Sequence, residues 1–193
     1  MSTTDTSLGI KELSRLSKIL IRQKTTKIAN KYVVMAPDGS VVLHAREESG
    51  ILDRMLVGTS RAFEMTLFDN DNKEVIKLRR PYTMGPDKMD VSLCGRPVSV
   101  VRKEVTFLKP VINVNDANDR PAYRVKGPVV TTNDCDFEIY TREKVRVGVI
   151  GRRWGGAGDS NGYELQLPAD LDVSYKVALL GASFLIDFMY YEN

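Results

Sequence analysis

Histidine is all but missing from this chain: its 193 residues contain one, His44. A Ser-His-Asp triad needs a free imidazole, and His44 sits in the alternating run Val41-Val42-Leu43-His44-Ala45, where a strand position accounts for it. Cysteine is nearly as scarce. Cys94 and Cys135 are far apart and in no CxxC spacing, which removes zinc and leaves one disulfide or two free thiols, the thiols favoured in a reducing compartment. No block of basic residues exceeds two, and 28 Lys+Arg against 25 Asp+Glu give a net charge of only +3, too mild to argue for nucleic acid. The polar start Met1-Ser2-Thr3-Thr4-Asp5-Thr6-Ser7 has no apolar h-region, so no secretory signal and a cytosolic start are expected, with 1–7 as a disordered arm before a single domain over 8–193. The glycine-rich run 148–158 lacks the Walker lysine and fits no dinucleotide fingerprint; a hairpin end carrying Trp154 explains it. No covalent catalysis is indicated.

The chain has one long apolar stretch, in its last residues. Asp172 can cap a helix over 177–191 that is apolar around its circumference except at Ser183 and Asp187. Such a helix lies inside a protein or inside a membrane. A spanning helix wants about twenty apolar residues, and 173–191 reaches that only by including Ser174, Lys176 and Asp187. Val177, Leu180, Phe184, Asp187 and Phe188 are therefore candidates for either a core or a membrane helix, with a basic strand residue such as Arg79 or Arg124 expected to pair Asp187 in the core case.

Residues 8–22 place Leu8, Ile10, Leu13, Leu16, Ile19 and Leu20 at helical spacing among Lys11, Arg15, Lys18 and Arg22, predicting an amphipathic helix that packs on its own domain or lies on anionic lipid. Beyond it the pattern becomes strands separated by turn chemistry, at 32–36, 41–45, 62–68, 74–79, 98–107, 111–114, 122–125, 129–131, 137–140, 145–150 and 163–167. So many strands in a small domain need closure. Residues 69–81 also align without a gap on 116–128, each copy a turn, an amphipathic strand and a stopping proline. Two similar halves and one leftover apolar helix predict a mainly β fold: a closed barrel of about 11–12 strands around the buried C-terminal helix.

Upstream of the helix, residues 159–170 space oxygen-bearing side chains in the manner of a calcium loop. On the EF-hand template Asp159, Asn161, Tyr163 and Asp170 fall on ligand positions, but Glu164 stands where glycine belongs and Tyr163, Leu165 and Leu167 alternate like a strand. Calcium is thus expected to bind no tighter than about 10⁻⁴ M, if this segment holds it at all.

The C-terminal pieces Tyr163-Glu164-Leu165-Gln166-Leu167, Pro168-Ala169-Asp170-Leu171-Asp172-Val173 and Gly181-Ala182-Ser183-Phe184-Leu185-Ile186-Asp187-Phe188-Met189 resemble the signature of the phospholipid scramblase family. Asn30-Lys31-Tyr32, Phe63-Glu64-Met65-Thr66-Leu67-Phe68-Asp69-Asn70, Glu74-Val75-Ile76-Lys77-Leu78-Arg79-Arg80-Pro81, Asp136-Phe137-Glu138-Ile139 and Trp154 extend the likeness. The resemblance implies the helix-in-barrel fold of the tubby C-terminal domain and LURP-one proteins, and calcium-stimulated, ATP-independent movement of phospholipids between leaflets. The alternative is a cytosolic lipid- or protein-binding module acting on anionic headgroups through basic surface residues such as Arg152 and Arg153, with the cytosol or the cytoplasmic face of the plasma membrane as its place. The family's palmitoylated cysteine cluster is replaced by 81–93, and only Arg152 and Arg153 match the basic nuclear-import segment, so acylation and import are not expected.

Overall fold

The computed structural model describes residues 7–24, 31–47, 62–82, 85–153 and 162–191. In chain order the elements are α1 (Leu8–Arg15), β1 (Lys18–Lys24), β2 (Lys31–Met35), β3 (Val41–Glu47), β4 (Phe63–Phe68), β5 (Glu74–Arg80), β6 (Lys88–Leu93), β7 (Arg96–Lys103), β8 (Val111–Asp116), β9 (Pro121–Lys126), β10 (Cys135–Thr141), β11 (Arg146–Arg153), β12 (Gly162–Gln166) and α2 (Val173–Tyr190). Each strand pairs antiparallel with the next, and β1 returns to β12, from Lys18↔Gln166 to Arg22↔Gly162, so the barrel is closed. Closure satisfies the polar backbone that an open edge would expose.

The barrel is filled by α2. Every residue from Lys176 to Phe188 is buried, and Asp172 caps the helix by accepting the Ser174 N–H. By length and composition α2 could cross a membrane, yet 72% of it is buried in this fold, its apolar circumference covered by inward strand residues such as Ile21, Leu78, Val101 and Ile139. Each large side chain so buried contributes about 1.5–3 kcal/mol. On β12 the expected alternation holds: Tyr163 and Leu165 point in, and Gln166 points out.

The segment 8–22 is not one helix. It is helical only through Arg15, breaks at Leu16 and Ser17, and continues as β1 with Ile19 and Ile21 buried. A short apolar run satisfies both periods, and the β1–β12 pairing selects the strand. The helix does pack on its own domain: a Cβ on Gly9 would stand 2.9 Å from both Leu43 Cδ2 and the Val42 carbonyl, so this close approach requires glycine. Ser7, expected in a disordered arm, is buried and donates to Asp69 Oδ2 at 2.5 Å; residues 1–6 lie outside the described residues. Two further expectations fail. Residues 129–131 form no strand, with Val129 and Val130 exposed, and the strand expected to run to 107 stops at Lys103. β6 was not expected, since the Pro81–Pro86 turn chemistry precedes it and only Met89 and Val91 mark its inner face.

The sequence repeat is a repeat of structure. Asp69 N–H bonds the Lys73 carbonyl and Asn72 N–H the Asp69 carbonyl, while Asp69 Oδ1 accepts from the N–H groups of Asp71 and Lys73. Asp116 makes the same set with Arg120, Asp119 and Asn118. In both, the fourth residue takes a left-handed φ, 62° at Asn72 and 61° at Asp119, which Asn and Asp tolerate. Such tight turns close one end of the barrel, the turn end. The opposite, loop end carries the longer connections that follow odd-numbered strands, and the C-terminus of α2.

Candidate functional site

Among the described residues two buried charges on α2 and one groove on the outer wall stand out. At the turn end Lys176 is fully buried, and its Nζ donates to the carbonyls of Ser14, Leu16 and Ala169 at 2.7, 2.8 and 2.9 Å. All three ammonium protons are thereby used. Burial pulls its pKa below the ordinary lysine value, with Asp170 opposing.

At the loop end Asp187, buried like the rest of α2, accepts from the phenols of Tyr32 at 3.0 Å and Tyr163 at 2.9 Å. These phenols, not the expected Arg79 or Arg124, are its partners: Arg79 is exposed on β5, and Arg124 is engaged with Glu104. Burial raises the Asp187 pKa, while the Tyr163 and Tyr32 hydrogen bonds and the Arg152 charge pull the other way. Tyr163 is driven well above the usual phenol range by burial and then by the Asp187 charge. Arg152 stacks 3.8 Å over the Tyr191 ring and donates to the Asn133 carbonyl at 2.7 Å, leaving its Nε without a partner among the described residues. Arg152 was expected on the basic surface but is buried; Arg153 is half-buried and ion-paired to Asp136 at 2.7 Å. The two arginines form no common cationic patch.

On the outer wall of β8 to β10 lies a groove of about 330 Å³ lined by Tyr123, Arg124, Lys126, Tyr140, Arg142 and Lys144, with no carboxylate in its lining. Arg124 is spent on Glu104, Tyr140 donates its hydroxyl to Glu138 at 2.6 Å, Lys126 sits 4.6 Å over the Tyr140 ring, and Arg142 and Lys144 extend from the exposed β10–β11 turn. A concave surface with cations and phenol edges suits an anion carrying an apolar body. Alternation along β9 and β10 predicts that Arg124, Lys126 and Tyr140 share an outer face, but only the register Tyr140↔Arg124 makes them neighbours.

The calcium segment is not assembled by the described residues. Asp159 and Asn161 lie outside them, and Asp170 is in the exposed turn beyond the far end of β12. Tyr163 opens β12 with its hydroxyl committed to Asp187 inside the barrel, so it cannot join Asp170 around an ion. Among the described residues no three His, Cys, Asp or Glu side chains come together as ligands. Both cysteines are free thiols, Cys94 in the exposed β6–β7 turn and Cys135 3.0 Å from the Tyr191 hydroxyl. His44 is exposed on β3.

The family model described as Scramblase matches residues 2–193. The chain is similar to phospholipid scramblase family member 5 of Homo sapiens, 30% identical over 96% of this chain and 78% of that one. Against phospholipid scramblase 1 of Homo sapiens the identity is also 30%, over 96% of this chain and 66% of the relative. A solved protein structure from Arabidopsis thaliana aligns with a TM-score of 0.46 at 16% identity, covering 90% of this chain and 91% of that chain.

Proposed function

The chain belongs to the scramblase family, and from that premise we propose that it moves phospholipids between bilayer leaflets without ATP, acting from the cytosol or the cytoplasmic face of the plasma membrane. A headgroup crossing hydrocarbon needs polar partners along its way, because an unpaired charge or amide there costs several kcal/mol. With α2 filling the barrel, that path runs along the outer wall. The observation that carries the reading is the groove in which Lys126, Arg142 and Lys144 have no carboxylate partner among the described residues, so that a phosphate can sit against these cations while its acyl chains stay in lipid. Anionic headgroups are the favoured cargo. Calcium stimulation belongs to this proposal on resemblance alone; Asp159 and Asn161 are the residues left to contact the ion, and no step is routed through it.

Burial of α2 supports a second reading, in which the same groove holds anionic headgroups at a membrane without moving them. Proteoliposomes carrying a fluorescent lipid reduced by dithionite separate the two. Transport predicts loss of inner-leaflet signal with wild type and a marked slowing in Lys126→Glu/Arg142→Glu/Lys144→Glu; vesicle binding with full protection of the inner leaflet would leave the binding module.

A further inference from the structure

The described connections of the loop end are apolar where loops are ordinarily polar. Among the described residues eight large hydrophobic side chains are exposed, and six of them sit on three connections at this one end: Tyr82 after β5, Val105, Phe107 and Leu108 after β7, and Val129 and Val130 after β9. Phe107 is 101% exposed, with Leu108 at 77% beside it. Scattered exposed apolar residues are normal, but a cluster confined to one end marks an interaction surface.

The tips are held in place. The Glu104 N–H bonds the Val111 carbonyl at 2.8 Å to close the base of the first loop, Thr106 Oγ1 donates to the Lys109 carbonyl at 2.5 Å across its tip, and the Gly127 N–H bonds the Pro110 carbonyl at 2.8 Å to tie it to the second loop. Three lysines stand among them. Asp87 is paired with Arg80, Glu104 with Arg124 and Asp136 with Arg153, whereas Lys103, Lys109 and Lys126 have no carboxylate partner among the described residues. Apolar tips carried on separate connections and ringed by lysines suit a soft, anionic surface that admits side chains one by one.

We propose that the barrel docks loop-end first on anionic lipid, Phe107 and Leu108 entering the acyl boundary while Lys103, Lys109 and Lys126 meet the headgroups. The proposal rests on the phospholipid reading above and adds an orientation: the C-terminus of α2, with Asp187 and Tyr191, and the Lys126 end of the outer-wall groove face the membrane, and the groove leads away from it toward Arg142 and Lys144.

Sedimentation with phosphatidylcholine vesicles containing phosphatidylserine tests it, using the full chain. Phe107→Ser/Leu108→Ser is expected to lower the partition coefficient at least about tenfold, since two large apolar side chains would leave lipid, with an unchanged melting curve because neither packs on the barrel. Leu8→Ser/Val145→Ser, at the turn end, should bind as wild type. Lys109→Glu should weaken binding to anionic vesicles and not to neutral ones. Wild type that fails to bind, or a double variant that binds unchanged, overturns the docking surface even if dithionite assays show lipid movement. A wild-type dimer dissolved by the double substitution assigns the face to a second copy of the chain and equally overturns it. Binding lost in the variant, with no lipid movement in wild type, sustains the orientation while ending the transport reading.

Discussion

The two ends of α2 solve the same problem with opposite chemistry. Lys176 at the turn end is a buried cation held by three main-chain carbonyls, which the backbone of 14–16 and Ala169 cannot move without unravelling the approach to β1. Asp187 at the loop end is a buried acid held by two side chains, Tyr32 and Tyr163, that open their strands beside longer connections. The first is a clamp built from the fold itself. The second is a titratable contact whose donors hold it by side chain alone.

The largest test removes the element that both ends hold. Without residues 177–193 the barrel loses its filling, at about 1.5–3 kcal/mol for each large side chain against a total stability of about 5–15 kcal/mol. The truncated chain is expected to show no cooperative melt by circular dichroism; a native-like transition would mean the strands close without α2. Next, Lys176→Met leaves three carbonyls unpaired in an apolar setting and is expected to cost about 3 kcal/mol in urea unfolding, more than the roughly 2 kcal/mol expected when Asp187→Leu strands two phenols. Equal losses would erase the distinction between clamp and contact.

A smaller effect sharpens it. The Asp187 pKa is raised in the fold, so its contribution to stability is complete below the unfolded carboxyl value and is lost as pH rises through the folded value. The stability of wild type relative to Asp187→Asn should therefore decline as pH rises from near 3.8, with thermal melts across pH as the measurement. A difference that stays flat, or grows with pH, would show that the phenols stabilise the carboxylate more than burial opposes it. Smallest of all is calcium. Titration calorimetry is expected to find nothing tighter than about 10⁻⁴ M, and a micromolar heat abolished by Asp159→Ala/Asp170→Ala would reverse that view of 159–170.

How much of this was legible depends on the distance over which each feature is written. The apolar circumference of α2 lies in contiguous residues and predicts its burial, and the paired turns at Asp69 and Asp116 are local enough to survive as matching hydrogen bonds. Asp187 announces that it needs a partner, but its phenols arrive from Tyr32 and Tyr163, brought together only because β1 pairs with both β2 and β12. Arg79 and Arg124 were the more obvious candidates and the wrong ones. Likewise β1 read as helix because its partner strand lies at the other end of the chain, and the exposed Val129 and Val130 read as a strand because β-branched residues on a loop look the same as in a sheet.

The β1–β12 seam also sets an order of events. Lys18 pairs with Gln166, and α2 follows β12, so the strand that closes the wall and the helix that fills it both come after all the other strands in chain order. During synthesis the growing meander therefore has two unpaired edges and an uncovered inner face rich in Val, Ile and Leu, the state most open to mispairing with other chains. Folding that must wait for contacts so far apart in sequence is intrinsically slow. For this barrel, chaperone protection matters most in the interval between emergence of β2 and emergence of α2.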